Sequence, residues 1–157
     1  MKKILILSIS AILMLSGCAS GPKYTELKSS LPEIANKEEH GRIFFYRTKS
    51  PVGAAVTSNI KVNDEVVGVS KTGGFFFVDQ KAGNIEVSTK TEAEKNLNFT
   101  LEAGQTRYVR TKVSMGALVG RIIPELVDNE TAEKEIQGNS YIGNINLNTN
   151  TTAIEAP

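Results

Sequence analysis

The chain holds one cysteine, Cys18, and one histidine, His40. A serine or cysteine nucleophile needs an imidazole base held beside it, and no recognisable motif surrounds His40. Metal sites built from His and Cys are excluded by count. Paired acids occur as Glu38-Glu39 and Asp64-Glu65, but adjacent carboxylates in loops read as solvated turns rather than as acid–base partners, and no acidic run has the spacing of a calcium loop. Three arginines remain. If the strands carrying Tyr46-Arg47 and Arg107-Tyr108-Val109-Arg110 pair, Arg47, Arg107 and Arg110 would gather into a site for a carboxylate, a glycan or a partner protein. The competing reading makes them outward residues that keep a sheet soluble. Nothing calls for a cofactor, and the chain reads as a non-enzyme.

Cys18 is placed for modification. It closes a run of two lysines, an apolar core from Ile4 to Leu15 and the small residues Ser16 and Gly17, the build of a bacterial secretory leader. The apolar stretch is interrupted by Ser8 and Ser10 and falls short of the roughly 18 to 20 residues that a spanning helix needs. Leu15-Ser16-Gly17-Cys18 resembles a lipobox, which implies a diacylglyceryl group on the Cys18 sulfur, cleavage after Gly17 and acylation of the new amino terminus. Two or three chains hold a protein to a bilayer far more firmly than one, at roughly 0.8 kcal/mol per buried methylene. By the same resemblance Ala19 and Ser20, standing where inner-membrane lipoproteins carry aspartate, imply the periplasmic face of the outer membrane.

Removing residues 1–17, which contain two lysines and no acid, leaves 140 residues with 16 basic and 17 acidic side chains, a net charge of −1. Such a chain has no electrostatic footprint for nucleic acid. With its one thiol lipidated it can form no disulfide, so a hydrophobic core must hold it together.

The elements that would position these residues are mostly strands. Residues 18–39 contain Gly21-Pro22, Leu31-Pro32 and the run Lys37-Glu38-Glu39 and read as a lipidated tether; the alternative packs Tyr24, Leu27, Leu31 and Ile34 along the domain or against a partner. Ile43-Phe44-Phe45-Tyr46 carries bulk on both faces, as a central strand covered on two sides does. Ala54, Val56, Ser58, Ile60 and Val62 then alternate with polar residues, and Asn63-Asp64 turns a hairpin into Val66-Val67-Gly68-Val69. Phe75-Phe76-Phe77-Val78 is a second strand with bulk on both faces. Three further strands alternate through Ile85, Val87 and Thr89, through Leu97, Phe99 and Leu101, and through Val109, Thr111 and Val113.

Segments at turn spacings of about ten residues predict a mainly β fold over residues 40–138, an antiparallel sandwich of about seven strands. The stretch 116–127 is open between a turning glycine pair and an edge strand stopped by Pro124. Asp128 or Asn129 caps a short helix through Gln137, with Ala132 and Ile136 on one face and Glu130 four before Lys134. Residues 139–157, rich in Asn and Thr, read as a disordered tail in which Tyr141, Ile142, Ile145 and Leu147 could add a marginal edge strand.

Four motifs carry a resemblance. Gly41-Arg42-Ile43-Phe44-Phe45-Tyr46-Arg47, the hairpin Val62-Asn63-Asp64-Glu65-Val66-Val67-Gly68, Gly73-Gly74-Phe75-Phe76-Phe77 and the stretch 102–110 are similar to an uncharacterised domain of small bacterial lipoproteins related to PEGA-type β-modules. The likeness covers roughly residues 40–127 and implies a fold rather than an activity, since the family has none assigned. PEGA repeats commonly carry glycine where this chain has Asp64-Glu65.

The expectation is thus an outer-membrane lipoprotein whose sandwich binds or braces other components of the cell envelope, with envelope proteins as partners. Its alternative is a lipoprotein enzyme or binding protein for peptidoglycan or a small envelope metabolite. Cys18→Ser should abolish palmitate labelling and move the exported protein from the membrane to the soluble periplasmic fraction. Alkali-resistant membrane attachment of that variant would count against the lipid as anchor.

Overall fold

The computed structural model describes residues 19–118 and 120–143; Cys18, the leader, Ile145 and Leu147 lie outside the described residues. Nine strands form two sheets. They are β1 (His40–Tyr46), β2 (Ser58–Val62), β3 (Glu65–Ser70), β4 (Gly74–Lys81), β5 (Gly83–Lys90), β6 (Glu94–Leu101), β7 (Thr106–Ser114), β8 (Arg121–Val127) and β9 (Ser140–Tyr141). The first sheet has the order β8-β7-β1-β4-β9 and the second β3-β2-β5-β6. Two short helices, α1 (Tyr24–Leu27) and α2 (Asn129–Ile136), complete the described elements together with a 3₁₀ turn at Lys28–Ser30.

The sandwich is as expected, but it is not wholly antiparallel. β1 runs parallel to β7, with Tyr46 opposite Arg110, and β9 runs parallel to β4. The strand count rises from about seven to nine because Arg121–Val127 and Ser140–Tyr141 both pair. Pro124, which lacks an amide proton, sits in β8 opposite Thr111 and is tolerated because β8 is an edge strand. One predicted strand is shorter than its alternation suggested. β2 starts at Ser58, and residues 51–55 turn instead.

β1 has bulk on both faces because both faces are covered. Phe45 points toward the second sheet and stacks on Phe76, at 5.1 Å between ring centroids, among Ile60, Val62, Ile85, Val87 and Val109. A Cβ on Gly68 of β3 would lie 2.4 Å from Cζ of Phe76, so glycine is what lets the two sheets close here. Buried hydrogen bonds tie the sheets as well, from Ser70 to Thr111 (2.8 Å) and from Thr89 to the Ile122 carbonyl (2.6 Å). On the opposite face Phe44 packs on Phe77 and Tyr108, and Tyr24 meets Phe44 and Phe75 edge-on.

Tyr24 comes from the segment read as a tether, which is a correction to that reading. Its side chain is only 2 % exposed, and its backbone amide donates to Asn139. Further along, buried Arg42 forks onto Asp79 (2.7 and 2.9 Å) and donates to the carbonyls of Pro32 and Glu33, fastening that stretch to the sheet. The alternative packing of Tyr24, Leu27 and Leu31 is what the structure shows. Residues 139–141 likewise belong to the fold rather than to a tail. Asn139 donates to the carbonyls of Arg47 and Gly74, and the Tyr141 amide donates to Pro22.

Helix α2 follows its sequence signals. The Asp128 side chain accepts from the Thr131 amide at 2.9 Å, Lys134 reaches Glu130 at 2.7 Å, and Ala132 and Ile136 are fully buried. The hairpin between β2 and β3 turns at Asn63 and Asp64, whose φ angles of 47° and 69° suit residues that tolerate the left-handed region. Because Phe45 and Phe76 fill the same inter-sheet layer, Phe45→Ala or Phe76→Ala should each destabilise the protein by about 3–5 kcal/mol, read from urea unfolding. A loss near zero would mean that these rings do not hold the two sheets together.

Candidate functional site

The arginines singled out from the sequence stand on strands that do pair, yet their guanidinium groups are separately engaged. Arg47 follows β1, is 3 % exposed and donates to the carbonyls of Val56 (2.7 Å) and Gly53 (2.6 Å), so it clamps the loop before β2. Burial lowers its pKa. Arg107 donates to the Gln105 side chain at 3.1 Å, the same oxygen that accepts the Glu102 amide, and braces the turn between β6 and β7. Arg110 binds Glu135 at 2.6 Å and Glu125 at 3.2 Å. Burial opposes its charge, but the two carboxylates outweigh that and raise its pKa. The three do not converge on one site.

Sequence reading missed the groups around Arg110. Glu133 and Glu135 flank the buried Ala132–Ile136 stripe of α2 and face the first sheet. One Glu133 oxygen accepts from the hydroxyls of Tyr24 (2.8 Å) and Tyr108 (2.7 Å), the other from Lys28 (2.6 Å), and Glu135 accepts from the Tyr46 hydroxyl at 2.6 Å. Lys112 pairs with Glu125. No sequence spacing announces this cluster, because Tyr24 and Glu133 are joined only by the fold.

The electrostatics of the cluster argue against proton transfer. Burial, against a lowering hydrogen bond from Tyr108 and with help from Glu133, pushes Tyr24 up to about 12; burial with Glu135 raises Tyr46 further, and burial with Tyr24 and Glu133 raises Tyr108 further. Burial works to raise Glu133, yet Lys28 and the two tyrosine hydroxyls prevail and lower it. A general acid or base works best with a pKa near the operating pH. Here the tyrosines are raised and Glu133 is lowered, so the tyrosines stay protonated donors and Glu133 stays an acceptor. The cluster fastens α2 and α1 to the sheet.

A surface free for contact lies on the outer face of the second sheet. Alternation along β2, β5 and β6 turns Ile60, Val62, Ile85 and Val87 inward and presents Asn59, Lys61, Asn84, Glu86, Lys90, Asn98 and Thr100 to solvent. Across the strands Lys61 stands opposite Ser88, Glu86 opposite Asn98 and Lys90 opposite Glu94. Two shallow hollows open on this face, about 410 Å³ beside Lys61, Ser88 and Lys90 and about 580 Å³ beside Asn84, Glu86 and Asn98. The face offers hydrogen-bond donors and acceptors, with Phe99 lining the second hollow and Val66 exposed across from Lys61.

Among the described residues no group of three or more His, Cys, Asp or Glu side chains could hold a metal ion. No described helix is long and apolar enough to cross a membrane.

The model of a family described as a protein of unknown function, DUF2846, matches residues 37–121. That span takes in β1 to β7 and the loop after them. An uncharacterised protein of Haemophilus influenzae is 30% identical over 131 residues, covering 82% of this chain and 77% of its own.

The tyrosine cluster has a pH signature of defined sign. A tyrosine in the unfolded chain ionises near pH 10, whereas Tyr24 in the fold does so at about 12. The stabilisation is therefore complete below about pH 10 and is lost as pH climbs through the folded value, because the unfolded state releases its protons first. The urea midpoint should fall between about pH 10 and 12, and Tyr24→Phe should flatten that fall. An unchanged slope in the variant would show that Tyr24 does not titrate with unfolding.

Proposed function

We propose, from the premise that the chain belongs to the DUF2846 family of proteins of unknown function, that it is an outer-membrane lipoprotein whose periplasm-facing sandwich is a non-catalytic binding or bracing module of the cell envelope. One observation carries this reading: a leader-like run ending Leu15-Ser16-Gly17-Cys18 stands directly before a fold whose arginines, tyrosines and carboxylates are engaged in holding its own elements. Lipid on Cys18 supplies the membrane attachment, and Ala19-Ser20 supports the outer membrane as its place. Kinship with PEGA-type modules belongs to the same proposal, supported by the hairpin at Asn63-Asp64 and the paired bulky strands β1 and β4.

The outer face of the second sheet is the contact surface in this proposal. It is mostly polar, with only open hollows, and free of the helices that cover the first sheet, which suits reversible contact with a protein surface better than enclosure of a small molecule. Its mixed charges favour a partner selected by hydrogen bonding rather than by net field.

A photo-crosslinking residue placed at Lys61 or Lys90 in intact cells should yield adducts with envelope proteins. The same residue at Lys134, on the exposed side of α2, should yield far fewer. Equal adduct patterns from both faces would overturn this assignment of the surface. Absence of protein adducts, joined to a saturable binding isotherm with purified peptidoglycan, would replace the protein partner with a glycan.

A further inference from the structure

We infer that one end of the sandwich, carrying Val52, Met115 and Leu118, rests in the headgroup region of the bilayer that holds Cys18, so that the fold is seated on the membrane rather than spaced from it. This rests on the lipid-anchor reading above and adds a second contact, made by the fold itself.

Topology brings the relevant pieces together. β1 and β7 run in the same direction and finish at Tyr46 and Ser114, while β4, β8 and β9 begin at Gly74, Arg121 and Ser140. The loops after Tyr46 and after Ser114 therefore share one end with the start of β9. The chain enters at that same end. A Cβ built on Gly74 would lie 3.3 Å from the Cβ of Ala19, and Pro22 and Tyr24 are bonded to Tyr141 and Asn139. Only Ala19 and Ser20 separate Cys18 from Gly21, whose backbone lies against Tyr141. The three steps from Cys18 to Gly21 span at most about 11 Å, so a sulfur held in lipid keeps this end close to the bilayer surface.

That end carries an exposed apolar patch, bordered by charged residues and firmly held. Val52, Met115 and Leu118 are 76, 92 and 94 % exposed, and together with Val56 and Val113 they border a hollow of about 320 Å³. Their exposure is fixed by the loops that carry them. Arg47 holds Gly53 and Val56, and the Glu92 carboxylate accepts from the amides of Ala117 (2.8 Å) and Leu118 (3.0 Å) and from Arg121 (2.9 Å). Lys49 and Lys71 are exposed on the same end, where long cationic side chains reach lipid phosphates while their stems lie along apolar surface. Apolar side chains that enter an interface in this way settle about 5–10 Å into the headgroup and acyl boundary. The opposite end carries the polar turns at Asn63-Asp64 and at residues 102–105.

The test uses the full chain, expressed in bacteria with its leader, purified in detergent and returned to phosphatidylethanolamine–phosphatidylglycerol vesicles. Leu118→Cys and Ala103→Cys each receive an environment-sensitive fluorophore by maleimide coupling, which a Cys18 thioether does not compete for. The expected result is a blue shift at position 118 with loss of emission when doxyl-labelled lipid is added, and neither change at position 103. Emission and quenching at 118 equal to those at 103, in protein whose intact mass carries acyl chains, would overturn the seating while leaving the anchor. A mass without acyl chains would overturn the anchor and the seating together.

Discussion

Strand β1 buries large side chains on both of its faces, and that demand organises everything around it. Every residue from 41 to 47 is buried, and Ile43 and Phe45 need a different cover from Phe44 and Tyr46. The second sheet supplies one cover through Ile60, Val62 and Val87. The other is assembled from Tyr24, Tyr141, Ala132 and Ile136, contributed by segments that lie far apart in sequence. Neither cover suffices by itself, since a strand hydrophobic on both faces leaves one of them wet unless a layer closes each side.

The charged residues follow from the same arrangement. The layer over Phe44 and Tyr46 is made of short elements with little apolar area, so polar contacts complete it. Glu133 gathers Tyr24, Tyr108 and Lys28, Glu135 gathers Tyr46 and Arg110, and Arg42 with Asp79 fixes the stretch at Pro32 and Glu33. Hydrogen bonds to charged groups contribute about 1.5–3 kcal/mol each, comparable with burying one more aliphatic side chain. Among them the three tyrosines are raised and Glu133 is lowered, so these hydrogen-bonded partners move apart in pKa.

What could be read in the sequence was whatever local pattern determines. The doubly bulky strands β1 and β4, the Asn63-Asp64 turn and the Asp128 cap all announce themselves within a few residues, and each stands where it was expected. The parallel partnership of β1 and β7 could not be read, because no short connection dictates it and alternation is blind to strand direction. Tyr24 looked like part of a spacer because one aromatic among polar neighbours carries no period. Arg47, Arg107 and Arg110 were visible as residues, but their partners are backbone carbonyls and acids set by tertiary register. The outer face of the second sheet was legible residue by residue as the polar half of three alternations; that those halves form one continuous surface needed the strand order.

The two-residue strand β9 pairs with β4, and its neighbour Asn139 bonds the amide of Tyr24, so the last described stretch locks the first one in place. A ribosome makes these stretches more than a hundred residues apart. Until the later one emerges, Phe75 and Phe44 lack part of their roof, and contacts this distant in sequence form slowly. The roof over Phe44 and Phe75 therefore closes only after residues 139–141 have been made, later than every strand of the second sheet.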